Sequence, residues 1–362
     1  MAALQHPLFL IGSLVSAAAA AFVLQALLQS PVSPEPLLVP RSDFTPNNIL
    51  QSVDRLGEGI LPGPEDIAVD GDGVLYTATR DGWIKRMHRN GTWEEWKSTG
   101  THGLLGVATS MAGGLLVCDA EKGLLKVDEG GVAVLASHVD DGSQIRFADE
   151  AVEASDGSVY FSDASDKFGL HNWYLDVLEA RPRGRLLKYD PWKGTTSVVI
   201  GGLAFANGVA LSAGEDFLVV CESWKFRCLR YWLKGEHKGQ TEVFIENLPG
   251  APDNINLAPD GSFWVALLQL SHRRLDVVHR WTTFKRVVAA FPKLVGLLQA
   301  TNSAAMVANV PADGGRIARL LDDSEGKVMY FVTSAVELEG YLYLGSLGTN
   351  FIGRLPVEGS DY

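Results

Sequence analysis

With 362 residues, 46% of them hydrophobic, the chain is long enough to bury a large core. It carries 31 Lys and Arg against 43 Asp and Glu, a formal charge of −12. This argues against a nucleic-acid partner, because phosphate binding needs clustered Lys and Arg, and suits a host for a divalent cation. Three cysteines (Cys118, Cys221 and Cys228) are too few for a disulfide framework.

Residues 7–28 read PLFLIGSLVSAAAAAFVLQALL, with no charge and one Gln. The segment predicts a hydrophobic N-terminal helix long enough to span a bilayer. It also parses as a signal peptide, with an apolar region at 8–15 and small-residue cleavage sites among 17–21. Length tips the reading of residues 1–28 toward a membrane anchor. Either reading sends the remainder into the secretory lumen. No Lys or Arg precedes the run, so charge gives little orientation. Residues 29–49 are a Pro-rich linker. The sequon Asn90-Gly91-Thr92 lies in a polar turn and marks Asn90 as a glycosylation site.

From residue 50 to 357 a short cassette recurs six times: an apolar run, a turn containing Gly or an acid, and a returning apolar run. The copies lie at 65–76, 105–117, 149–161, 207–219, 253–265 and 334–343. Period-2 runs joined by turns such as Asp72-Gly73, Asp156-Gly157 and Asp260-Gly261 are antiparallel hairpins. Six such units predict an all-β fold, a six-bladed β-propeller around a central channel. Cys221 and Cys228 flank one hairpin turn and could lie opposite each other, but they read more simply as small buried apolar residues, like Cys118. In the aromatic hairpin 219–232, Glu222 and Arg230 are candidates for a cross-strand pair.

Two spacings between cassettes are long. The first excess, 167–183, contains a helix-friendly stretch at 174–180. The second, 269–308, is basic, with His272, Arg273, Arg274, His279, Arg280, Lys285, Arg286 and Lys293, and contains an apolar stretch at 291–298 fit for a short helix. Insertions on a rigid repeat usually sit on the binding face, so both are expected to lid the channel mouth. The basic cluster is either a solvated face or a surface for an anionic substrate or membrane.

Aligned on their turns, the cassettes share a polar column: Glu65, Leu105, Asp149, Asn207 and Asp253, with Glu150 and Asn254 one residue on and the sixth register unassigned. The start of each innermost strand lies near the channel mouth, so these positions converge. Carboxylate and amide oxygens meeting at one point are what Ca²⁺ requires, and the carboxylates alone would repel one another. The competing reading is turn-capping Asp and Asn. The candidate metal ligands are therefore Glu65, Asp149, Asn207, Asp253 and Asn254. His102, just before the second cassette, is the candidate general base, with His171 a more distant one. No Gly-x-Ser-x-Gly elbow, His-Glu-x-x-His or Cys-rich zinc pattern occurs.

The stretch 205–268, FANGVALSAGEDFLVVCESWKFRCLRYWLKG through LPGAPDNINLAPDGSFWVALL, closely resembles the strictosidine synthase-like family, in wording nearest its plant branch. So do RFADEAVEASDGSVYFSDAS at 146–165 and LLVCDAEKGLLKV at 115–127. The resemblance spans about residues 50–357. It implies a six-bladed propeller, entry to the secretory pathway, vacuolar or endoplasmic-reticulum residence, and similarity to paraoxonases, gluconolactonases and calcium-dependent phosphotriesterases. In the calcium pattern of those relatives, a Glu, two Asn and an Asp, Glu65, Asn207 and Asp253 match, with Asn254 beside the last and Asp149 standing where an Asn is usual. Strictosidine synthase condenses tryptamine with secologanin through a catalytic Glu, and that position falls at Thr333. Thr cannot shuttle protons at neutral pH as a carboxylate does. Glu337 lies about 13 Å further along the strand. The expected function is thus a lumenal Ca²⁺-dependent hydrolase of lactonase or arylesterase type on a small-molecule substrate. The rivals are a condensing enzyme and a non-enzymatic binding propeller.

Overall fold

The computed structural model describes residues 5–33, 35–37, 44–269, 278–291 and 304–357. Its strands form six four-stranded antiparallel sheets, five of them built entirely from sequential neighbours. The innermost strands are Ile67–Val69, Leu104–Thr109, Ala148–Glu153, Ala206–Leu211, Ala251–Leu257 and Val332–Leu338. The sixth blade is completed from the other end of the chain. Its outermost strand, β1 (Asp54–Leu56), pairs with the last strand, Ile352–Pro356, through Asp54 opposite Arg354 and Leu56 opposite Ile352. This closure ties the two ends of the repeat together and removes a free sheet edge.

Each hairpin follows from its local chemistry. Val159–Asp163 opens on a β-branched residue and two aromatics, types that favour extended backbone. The turn before it is fixed by Gly157 at φ +82° and by the Ser158 N–H donating to Asp156 Oδ1 at 2.8 Å. Asp260 likewise accepts from the Ser262 N–H, whereas in the first hairpin Asp70 rather than Asp72 accepts the turn N–H groups. Blades pack through continuous apolar layers; Phe244 and Phe263 meet edge-to-face at 5.5 Å between blades four and five.

Two sequence expectations are corrected in the fourth blade. Cys221 and Cys228 face each other in the ladder and form a disulfide, whereas Cys118 is free and buried. Glu222 pairs with Arg227, directly opposite it, at 2.5 Å. Arg230 instead reaches Glu242 at 3.1 Å and lies over the Phe217 ring. The register places Glu222 and Arg230 at different rungs of the ladder.

An N-terminal helix, α1, spans Gln5–Gln29. Among the described residues no helix is long and apolar enough to cross a membrane. The first insertion folds as α2 (Trp173–Glu179) and the second contributes α3 (Thr282–Ala289). The expected helix at 291–298 falls outside the described residues beyond Phe291, as do His272, Arg273, Arg274 and Lys293 of the basic cluster. His279 and Lys285 from that cluster are buried, so these two form neither a solvated face nor an exposed anion surface.

Candidate functional site

Five of the six innermost strands carry a register break at their channel end. The breaks fall between Leu104 and Val107, Ala148 and Ala151, Ala206 and Val209, Pro252 and Ile255, and Val332 and Ser334. A β-bulge leaves its extra residues unpaired and re-aims their side chains. The residues released are the polar column: Leu105, Asp149 with Glu150, Asn207, Asp253 with Asn254, and Thr333 as the sixth member. Glu65 and Asp66 occupy the equivalent place just before the innermost strand of the first blade. Close packing of adjacent strands is part of the geometry. A Cβ on Gly208 would lie 2.5 Å from the Asp253 carbonyl oxygen, so only glycine fits there.

Glu65, Asp149, Asn207 and Asp253 line one cavity of about 270 Å³. Asn254 is fully buried and donates from Nδ2 to Glu65 Oε1 at 3.2 Å, linking the fifth blade to the first. Thr333 donates to the Glu65 carbonyl at 2.6 Å. Asp66 is occupied by its neighbours, accepting from the Val107 N–H at 2.9 Å and from Ser334 Oγ at 2.5 Å.

Burial pushes the Glu65 carboxyl well above its usual range, and the charges of Asp66, Asp253 and Asp149 add to it. Burial, then Asp253 and Asp66, does the same to Asp149. Asp253 is pushed up to about 8, chiefly by burial, against a hydrogen bond from Asn207 that favours its charged form. Glu150 rises through burial and the charges of Asp66 and Glu65. These carboxylates are held in a place that disfavours their own charge.

The oxygens left over identify what would relieve that cost. Glu65 Oε2, Asn207 Oδ1 and Asn254 Oδ1 are buried with no hydrogen-bond partner. Both asparagines turn their amide NH₂ toward carboxylates and leave their carbonyl oxygens free. Unpartnered buried acceptors are costly, and a convergent all-oxygen set suits a hard cation. Among the described residues no three His, Cys, Asp or Glu side chains group closely enough to cage a metal by themselves. The amide oxygens would therefore be integral to such a site.

The candidate bases stand elsewhere. His102 is exposed, with Nδ1 3.3 Å from the Arg80 carbonyl, and is not among the lining residues. His171 is exposed and 3.6 Å from Glu121. Glu337 receives the Trp264 indole N–H at 2.6 Å, so its carboxylate is engaged outside the cavity.

The upper wall was not anticipated. It is apolar and aromatic, built from Phe147, Phe205, Phe331, Trp173 and Trp224, with Arg80 at the rim. One signal for it was present in the sequence. Phe147, Phe205 and Phe331 each stand two residues before a column position, so one aromatic residue recurs at the equivalent place in three repeats. Trp173 comes from α2, so the first insertion does roof the channel as expected.

Family comparison agrees with this architecture. Residues 149–236 match the strictosidine synthase family model, and residues 42–87 match the strictosidine synthase-like N-terminal model. The chain is 34% identical over 340 residues to Protein STRICTOSIDINE SYNTHASE-LIKE 4 of Arabidopsis thaliana, covering 92% of this chain and 87% of that one. Adipocyte plasma membrane-associated protein of Mus musculus is also 34% identical, with 92% and 86% covered. Among solved structures, a gluconolactonase from Xanthomonas campestris superposes with a TM-score of 0.59 at 15% identity, covering 90% of this chain and 99% of that one. Regucalcin, a calcium-binding protein from Agrobacterium tumefaciens, gives 0.55 at 12% identity, with 84% and 93% covered. These two share the six-bladed architecture, and the sequence matches establish that the chain belongs to the strictosidine synthase-like family.

Proposed function

We propose that the protein is a Ca²⁺-dependent hydrolase of lactonase or arylesterase type, with its substrate bound in the channel mouth. The observation that carries this reading is the set of unpartnered buried oxygens on Glu65, Asn207 and Asn254, beside the carboxylates of Asp149 and Asp253. Those five residues would hold the ion. When bound, it would supply Lewis-acid polarisation of a substrate carbonyl and charge for the developing oxyanion. The aromatic wall would take the apolar body of an ester or lactone. Arg80, whose Nη1 is buried without a partner, would donate to a substrate oxygen. His102 would act indirectly, through the backbone of Arg80, and proton transfer would fall to a ring carboxylate. The shared fold with a gluconolactonase and with calcium-binding regucalcin is consistent with this reading.

The condensing-enzyme alternative finds no support at Thr333, which is fully buried and hydrogen bonded to the Glu65 carbonyl. We place the protein in the secretory lumen. The Cys221–Cys228 disulfide fits an oxidising compartment, and Asn90 is exposed in its turn for glycan transfer. The N-terminal segment would deliver it there and provide contact with the membrane.

The test is hydrolysis of a panel of aryl acetates and γ- and δ-lactones by the full chain, with Ca²⁺ and with chelator. Calcium-dependent turnover that falls at least 100-fold in Asp253→Asn supports the reading. Turnover unaffected by chelator, or none on any ester or lactone, contradicts it.

A further inference from the structure

The stretch that reads as a Pro-rich linker does not trail away from the propeller. Residues 31–33 and 35–37 run between the two insertions and are clasped from both sides. From the first insertion, Lys167 Nζ donates to the Pro31 carbonyl at 2.7 Å, Ser33 Oγ donates to the Glu179 carbonyl at 3.3 Å, and Arg181 pairs with Glu35 at 3.1 Å. From the second, the Leu37 N–H donates to His279 Nδ1 at 2.8 Å, and Lys285 Nζ donates to the Glu35 carbonyl. These are main-chain contacts in the main, so they hold the path of the segment rather than one side chain of it.

Two apolar side chains point inward from this path. Val32 is 4% exposed and packs with Leu175 and Leu178 of α2 and Val288 and Ala289 of α3. Leu37 is 7% exposed and packs in one cluster with Leu105, Phe147, Phe205, Trp224 and Leu268, all of which line the cavity. A linker has no physical reason to bury a leucine in the cluster that forms a cavity wall. A plug does.

We propose that residues 31–33 and 35–37 form a strap that fastens the two insertions over the channel mouth, with Leu37 as its plug, so that ligand entry requires release of the strap. The segment joins this gate directly to α1, which packs on the same lid: Phe22 stacks on Phe291 at 5.3 Å, and Arg286 donates to the Leu27 carbonyl. Whatever fixes or frees the N-terminal helix thereby also sets access to the channel.

The test uses the full chain and needs neither calcium nor a substrate. Leu37→Ala removes the plug. Arg181→Glu breaks a half-exposed clasp and leaves the core intact, which guards against a simple folding failure. Leu268→Cys, introduced alone and in each background, reports cavity access by maleimide labelling; Cys118 is fully buried and the other two cysteines are paired. The expected result is labelling of the introduced thiol about tenfold faster in both variants, together with faster amide exchange in Trp173–Glu179 and Thr282–Ala289 and unchanged exchange in Phe217–Glu222. Unchanged labelling overturns the gate, even where lid exchange rises. A rise of equal size in Phe217–Glu222 also overturns it, since Leu37 would then be an ordinary core residue.

Discussion

Asp176 illustrates how much a single side chain on the lid can decide. It is fully buried, accepts from Ser165 Oγ at 2.5 Å and from the Trp224 indole N–H at 2.9 Å, and so pins α2 to the cavity wall. Burial pushes its carboxyl up to about 7, against those two hydrogen bonds. An unfolded Asp titrates near pH 4. The folded chain therefore binds an extra proton between about pH 4 and pH 7, and the stability this contributes is complete below that window and lost as pH rises through it. Thermal melts in chelator from pH 4.5 to 8 should fall with pH, and Asp176→Asn should flatten part of that fall. An identical slope in the variant would rule Asp176 out as the source. Residue identity made the polar column legible in the sequence, because Glu65, Asp149, Asn207 and Asp253 fall at one position once the cassettes are aligned on their turns. Asp176 was not legible: nothing in WYLDVLE indicates that its acid points inward rather than to solvent.

At the scale of elements, the strands and their turns were readable because alternation and Asp-Gly turns are local signals. The bulges that create the site were not, because a register break is a relation between two strands rather than a property of one. Gly208 marks such a place. Gly208→Ala would press against the Asp253 carbonyl, and overpacking of this kind costs about 1–3 kcal/mol. Denaturant titration should show that loss, accompanied by weaker calcium stabilisation; a neutral substitution would mean that blades four and five do not need their close approach. The cysteine pair was readable only as an option, because buried thiols and a disulfide use the same residues at the same spacing. Replacing Cys221 and Cys228 by Ser should cost about 2 kcal/mol for so short a loop, read as a lower denaturation midpoint in the double variant. The strap was missed for a related reason. Proline-rich composition reports the stiffness of a segment, not what it is fastened to.

For the whole molecule, the six-fold repeat made the propeller evident before any residue was considered, and β1 shows how the ring closes, with the start of the repeat region supplying the last strand of the sixth blade. Closure holds the five bulges and Glu65 at one end of the channel, where buried carboxylates and unpartnered amide oxygens oppose each other across the axis. On the proposed function, a cation completes this arrangement. A ligand that binds only the folded state raises the melting temperature in proportion to the logarithm of its concentration over Kd. The decisive measurement is the melting temperature of the full chain at pH 7.5, first in chelator and then with increasing Ca²⁺, for the natural sequence and for Asp253→Asn. A ring of oxygens completed by calcium predicts a rise of about 5 °C once calcium exceeds Kd by roughly 100-fold, and no rise in the variant. An unchanged melting temperature up to millimolar calcium, or an equal rise in both proteins, would contradict it.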